Sequence, residues 1–168
     1  VNGEMGTRCL FKIYDFDEKI ISVIYHQFDG YPDGVPLDVA KFIAKRKLVN
    51  GIGDDWKVFN GVHDLVAQLI TFLKLRHAMI TSEVLKAFSK LGENIEDVVI
   101  AGEVYVMPAD TVDAWQDYEY HIKPSESGKI IIEAYYTGRG VDEAELIFKG
   151  TAEEYVKTYS EKAVIEVY

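Results

Sequence analysis

Cysteine is almost missing from this chain: Cys9 is the only one in 168 residues. A lone cysteine excludes an internal disulfide framework and any paired-cysteine metal or redox motif. It lies in an alternating apolar pattern, so a buried, inert thiol in a reducing, cytoplasmic setting is expected. Basic residues are scarce as well, 18 Lys and Arg against 28 Asp and Glu, for a net charge of −10. Broad nucleic-acid binding depends on cations that neutralise phosphates, so it is disfavoured. No apolar run approaches the ~18 residues needed to span a bilayer, and no membrane partner is expected. The first residues do not read as a signal peptide, lacking a basic stretch followed by an apolar one. Dinucleotide and phosphate-binding glycine loops, a nucleophile elbow and a His-Glu-x-x-His zinc motif are all lacking. Neither a cofactor nor a metal is expected on these grounds.

What is present is a core-forming composition. Apolar and aromatic residues make up 48% of the chain, enough for a globular domain rather than a disordered tail. The length suits one domain, which at this size buries roughly 70% of its unfolded surface. Val1 to Glu4 precede the first methionine, Met5; they are expected to be an expression remnant, with the domain covering 5–168. Tyrosine is frequent, 11 residues against 8 phenylalanines, which suits half-buried sheet faces and contact surfaces. The acidic residues are scattered rather than blocked, as solubility requires. Lys41, Lys45, Arg46 and Lys47 form the densest positive cluster, read as the solvated face of a helix.

Periodicity organises the chain. Residues 7–14 alternate, with Cys9, Phe11 and Ile13 on one side, and read as a strand. A short turn leads to a second strand over 20–28, apolar on both faces and so expected inside a sheet. Pro36 opens a helix whose apolar positions Leu37, Ala40, Ala44 and Leu48 carry it to Asn50-Gly51. Asn60 caps the clearest helix, 62–77, with Val62, Leu65, Val66, Leu69, Phe72 and Leu73 in one stripe. A further helix is predicted from Thr81 to Gly92, with an Ile80–Leu85 staple. Strands are predicted over 98–107, 117–122, 129–136, 145–148 and 163–168. Thr151 and Glu154 form a capping box for a helix reaching Tyr159. Clustered strands with short turns predict an α+β single domain, a mainly antiparallel sheet with helices packed mostly on one face.

The richest segment for chemistry is Tyr25-His26-Gln27-Phe28-Asp29-Gly30-Tyr31-Pro32-Asp33-Gly34. It joins a strand to a helix, and loops held by rigid elements often carry sites. His26, Gln27, Asp29, Tyr31 and Asp33 are the primary ligand-binding candidates. His26 suits a general base near neutral pH, with Asp29 or Asp33 to orient it. An ordinary turn explains the same residues, with Gly30 and Gly34 expected at positive φ. A second candidate set comprises Tyr105, Asp113, Asp117, Glu119 and His121, a carboxylate-rich loop running past Pro108 and Asp110 to an edge histidine. It suits a cation, a sugar hydroxyl or an acid–base pair, and equally a solvated loop and strand face. Gly138-Arg139-Gly140 lacks the Gly-Lys-Ser/Thr ending of a P-loop and reads as a hairpin corner.

Met5-Gly6-Thr7-Arg8, the segment from Tyr25 to Gly34, and Asp117-Tyr118-Glu119-Tyr120 together resemble a family of small uncharacterised proteins of phages and bacteria. That family pairs a Met-Gly-Thr-Arg start with a Tyr-Arg-Gln-x-Asp-Gly-Tyr-Pro-x-Gly loop, then a proline-aspartate loop and a Tyr-x-Tyr strand. The similarity spans most of 5–122. Here His26 replaces the family's arginine, which weakens an anion-binding role there, and 50–98 departs from the pattern. The resemblance implies a viral or mobile-element origin and action in a host cytoplasm. It implies no activity and no functional residues.

Three readings of function follow. The leading one is a non-enzymatic accessory protein that binds a small ligand or a protein partner. The second is a hydrolase on a nucleotide or phosphodiester, using His26 with Asp29 or Asp33. The third is a structural or virion-associated protein. A pocket lined by Tyr25, Tyr31 and Tyr105 would favour a ligand, and a flat aromatic patch a protein partner.

Overall fold

The computed structural model describes residues 6–51, 56–87 and 95–167, and the side chains among them except those of 80–87, 95 and 162–167. Eight strands are β1 (Cys9–Tyr14), β2 (Ile20–His26), β3 (Lys47–Val49), β4 (Val58–Asn60), β5 (Val104–Met107), β6 (Tyr118–Pro124), β7 (Ile130–Tyr136) and β8 (Glu145–Thr151). Four helices are α1 (Val35–Ala44), α2 (Gly61–Ala87), α3 (Ile95–Ala101) and α4 (Ala152–Val167). Six strands form one sheet in the order β5-β2-β1-β6-β7-β8, antiparallel except where β1 meets β6. β3 and β4 form a small parallel pair. This is an α+β fold on a mainly antiparallel sheet.

The alternation of β1 decides which face is covered. Cys9, Phe11 and Ile13 are buried, and they line up with Ile24 of β2 and with Tyr120 and Ile122 of β6. Against that face pack Val39, Ala40 and Ile43 of α1, Leu65, Leu69 and Leu73 of α2, and Tyr155 and Tyr159 of α4. The helices therefore share one side. The Thr151–Glu154 capping box forms as read: Glu154 N donates to Thr151 Oγ1 at 3.1 Å, and Thr151 N to Glu154 Oε1 at 3.2 Å. Hydrogen bonds from the Thr151 backbone N–H and then its side chain hold the Glu154 carboxyl below its usual value.

Several boundaries differ from the sequence reading. α1 stops at Ala44, and Leu48 pairs with Phe59 in β3–β4 instead of continuing the helix. The helix at Val62 and the one predicted from Thr81 are a single element to Ala87. Phe88, Leu91 and Gly92 lie outside the described residues, as do the Ile80 and Leu85 side chains. The predicted strand over 98–107 splits, because Glu96 and Asp97 open a short helix, α3, before β5 begins at Val104. The predicted last strand is instead the continuation of α4 to Val167.

Candidate functional site

The loop after β2 is organised from within. His26 is 5% exposed and shares the core-facing side with its neighbours Cys9 and Val104. Its Nδ1 donates to the Phe28 carbonyl at 2.8 Å. Burial draws its pKa down to about 4; the Phe28 bond opposes this, and the charges of Arg76 and His77 reinforce it. Gln27 accepts from the Tyr25 hydroxyl through Oε1. The buried hydroxyls of Tyr120 and Tyr155 donate to the carbonyls of Gly30 and Pro32 at 2.7 and 2.6 Å. Gly30 N donates to Thr7 O, and Val35 N to Asp29 O.

Positive φ falls on Asp29, at 55°, and not on Gly30 or Gly34 as expected. The glycines serve close approach instead. A Cβ on Gly30 would lie 2.8 Å from Cys9 Cβ, and one on Gly34 would overlap the Asp29 carbonyl. Phe28, Asp29 and Tyr31 are exposed and Asp33 is half-buried. The Tyr31 hydroxyl lies 3.4 Å from Asp29 Oδ1. The imidazole thus faces inward while the Asp29 and Tyr31 side chains face outward.

The second candidate set lies on the other face of the sheet. Register places Tyr25 opposite Tyr105 and Val23 opposite Met107, and their neighbours Leu10 and Lys12 on β1 face the same way. The Tyr25 and Tyr105 rings meet edge-to-face at 5.9 Å. The 108–117 loop closes over them and forms a cleft of about 470 Å³, lined by Arg8, Tyr25, Tyr105, Met107, Asp113, Ala114 and Trp115. Trp115 is 78% exposed and sits at φ 60°, a left-handed conformation uncommon for a bulky residue. Asp113 Oδ1 holds that turn by accepting from Trp115 N at 2.8 Å.

Arg8 immediately precedes β1. Its backbone N donates to Asp117 Oδ2 at 3.0 Å, which fixes the start of β1 against the start of β6. Its buried Nε has no hydrogen-bond partner among the described residues. Buried donors are nearly always paired, so this one calls for a partner. The guanidinium also lies close to the Tyr25 hydroxyl: burial raises the Tyr25 pKa, and the Arg8 charge and hydrogen bond oppose it.

Beside the cleft, Glu119 and His121 anchor a charged network on the same face. His121 Nε2 donates to Glu119 Oε1 at 2.9 Å, and the Tyr14 hydroxyl donates to His121 Nδ1 at 2.6 Å. Lys12, only 6% exposed, lies 3.3 Å from the same carboxylate. Burial alone would raise the Glu119 pKa, but the His121 bond, the Lys12 charge and a Gln116 bond outweigh it and hold it low. Tyr14 is pushed up to about 12 by burial and by Glu133 and Glu119, so its hydroxyl keeps its proton. Glu133 takes Lys123 at 3.1 Å and a Tyr135 hydroxyl bond at 2.9 Å.

The structure therefore brings Tyr105 and Asp113 into one cleft, puts Asp117 at its hinge, and seats Glu119 and His121 in the adjoining network. Asp110 stays exposed outside it, and Arg139 is exposed at a turn closed by Gly140 N on Thr137 O. Among the described residues no three His, Cys, Asp or Glu side chains converge to hold a metal. Sequence reasoning passed over Arg8 and Trp115. Trp115 had a signal, a large apolar residue in a loop of aspartates; Arg8 stands beside Tyr25 through the β1–β2 hairpin and meets the 108–117 loop through the β1–β6 pairing. The chain matches no family model, no curated protein and no solved structure.

Proposed function

We propose that the chain is a non-enzymatic accessory protein whose cleft beside Tyr25, Tyr105 and Trp115 binds a small planar ligand bearing an anionic or acceptor group. The observation that carries this is the Arg8 guanidinium lining a cleft with aromatic walls, its buried Nε without a hydrogen-bond partner among the described residues. Rings offer a face to stack a planar group, and the guanidinium offers donors in a fixed fork. The volume falls within the range of small-molecule sites. Of the three tyrosines sought in a pocket, Tyr25 and Tyr105 line it; Tyr31 does not. The hydrolase reading draws no support from a His26 that is buried, with its Nδ1 committed to Phe28 O. A phage origin and action in a host cytoplasm rest on the sequence resemblance and on the single, buried Cys9. Among the described residues no helix is long and apolar enough to cross a membrane.

Trp56 and Trp115 are the two tryptophans, so in a Trp56→Phe background Trp115 emission reports the cleft directly. Titration with a panel of nucleoside monophosphates and aromatic carboxylates should quench or shift that emission for one class. Arg8→Gln should weaken the response about tenfold or more, the scale of a lost charged hydrogen bond. A panel that leaves the emission unchanged, or an Arg8→Gln protein that responds equally, would count against the reading.

A further inference from the structure

A second concavity lies on the helical side, away from the cleft. α1 and α2 enclose an open groove of about 900 Å³. Its floor is apolar: Phe42 and Phe72 stack at 4.5 Å, and Leu75 and Met79 line it while 46% and 66% exposed. Its α1 edge is cationic, with Lys41, Lys45 and Arg46. Arg46 lies over the Phe42 ring at 4.1 Å and reaches the Phe42 carbonyl and Gln68 Oε1. On the α2 edge Arg76 is already paired with Asp38 at 2.7 Å. Among the described residues Lys41, Lys45 and Arg46 have no carboxylate at ion-pair distance.

That arrangement is unusual for this chain. Its net charge is −10, and acidic side chains outnumber basic ones by 28 to 18. Here three stand together beside exposed apolar surface. We propose that the α1–α2 groove docks an acidic amphipathic helix of a partner protein. The apolar stripe of such a helix covers Leu75 and Met79, and its carboxylates meet the lysine edge. Lys41 and Lys45 are one helical turn apart, so carboxylates at i and i+4 on the partner match their spacing. α1 has 10 residues and spans roughly 15 Å, room for about three turns of a partner helix. An anionic membrane is a poorer occupant, because the whole molecule carries strong negative charge and a bilayer would face more than this edge. α3 does not fill the groove: it is tied by Lys74 Nζ to the Ile100 and Gly102 carbonyls, and Lys74 is not among the groove's lining residues.

The test uses the full chain and a fluorescein-labelled synthetic peptide of about 14 residues, with Leu at i, i+3, i+4 and i+7 and Glu at the intervening positions. Fluorescence anisotropy should give a dissociation constant on the order of 1–100 μM, as small transient interfaces do. Raising salt from low to physiological should weaken it severalfold. The double variant Lys41→Glu/Lys45→Glu should weaken binding about tenfold or more, and so should Leu75→Asp. All these side chains are exposed, and circular dichroism is to check that each variant folds; Lys41→Gln/Lys45→Gln serves if charge reversal does not. Equal binding of a peptide with Lys in place of every Glu would overturn the proposal, as would unchanged affinity in the folded variants. Absence of binding by the acidic peptide would do the same. So would a dimer in sedimentation of the protein alone that Leu75→Asp abolishes, since a second copy would then be the occupant.

Discussion

Gln116 Nε2 donates to Glu119 Oε2 at 2.9 Å, and this one bond joins the loop that carries Trp115 to the charged network of the sheet. Gln116 is 3% exposed and fully used: Nε2 also donates to Val112 O at 3.0 Å, and Oε1 accepts from Ala114 N at 2.8 Å. The loop is thus pinned before and after the cleft residues Asp113 and Trp115. Gln116→Leu removes all three bonds and leaves Glu119 one partner short. Loss of a bond to a buried charged group is expected to destabilise the fold by about 1–3 kcal/mol. In urea melts the unfolding free energy should fall by that amount, and in a Trp56→Phe background native Trp115 emission should change. An unaltered midpoint and spectrum would mean that the loop is held by other contacts.

The pH dependence has two separable windows. The folded pKa of His26, about 4, lies below its ordinary 6.5. As pH falls through 6.5 the unfolded chain takes up the proton first, so stability drops between about 6.5 and 4 and then levels off. That gap corresponds to on the order of 3 kcal/mol. Glu119 is depressed, so its contribution is intact above the unfolded carboxylate pKa, about 4.3, and is lost as pH falls below it. His26→Gln should flatten the upper window and leave the lower one, while Glu119→Gln should do the reverse. Urea melts across pH 3–8 would separate them. NMR titration should show the His26 imidazole not charging above about pH 5.

The core is the part the sequence states most plainly. The stripe Val62, Leu65, Leu69 and Leu73 is buried to within 4%, because a 3.6-residue period has one physical solution. Leu69→Ala should therefore destabilise by ~2–5 kcal/mol. Cys9, 0% exposed with its thiol pKa pushed well up by burial, should resist thiol reagents in the native protein and react on unfolding. The strand over 98–107 was misread because Val98, Val99 and Ile100 fit either state in isolation; acidic residues at a helix start decided it. The second candidate set was legible as a polar strand and loop. Its cleft was not, because Tyr25 and Tyr105 are 80 positions apart and meet only through the β2–β5 register. The β1–β2 hairpin sets Arg8 beside Tyr25, and the long-range pairing of β1 with β6 brings the Trp115 loop to it. Local pattern carries no information on either.

Trp115 offers the sharpest separation of structure from function. Its φ of 60° disfavours any bulky side chain by roughly 1–2 kcal/mol relative to glycine. The ring gives little back, being 78% exposed. Under the proposed ligand reading, the indole at this strained position, beside two tyrosines and an arginine, serves to contact a bound group. Trp115→Gly should therefore leave the unfolding free energy from urea melts unchanged or raise it by up to about 1 kcal/mol, since the strain is relieved. The glycine's extra freedom in the unfolded chain offsets part of that gain. Ligand binding, measured calorimetrically with whichever class shifts Trp115 emission, should fall at least tenfold. A destabilised Trp115→Gly protein would show that the indole packs for the fold, and undiminished binding would place the ligand elsewhere.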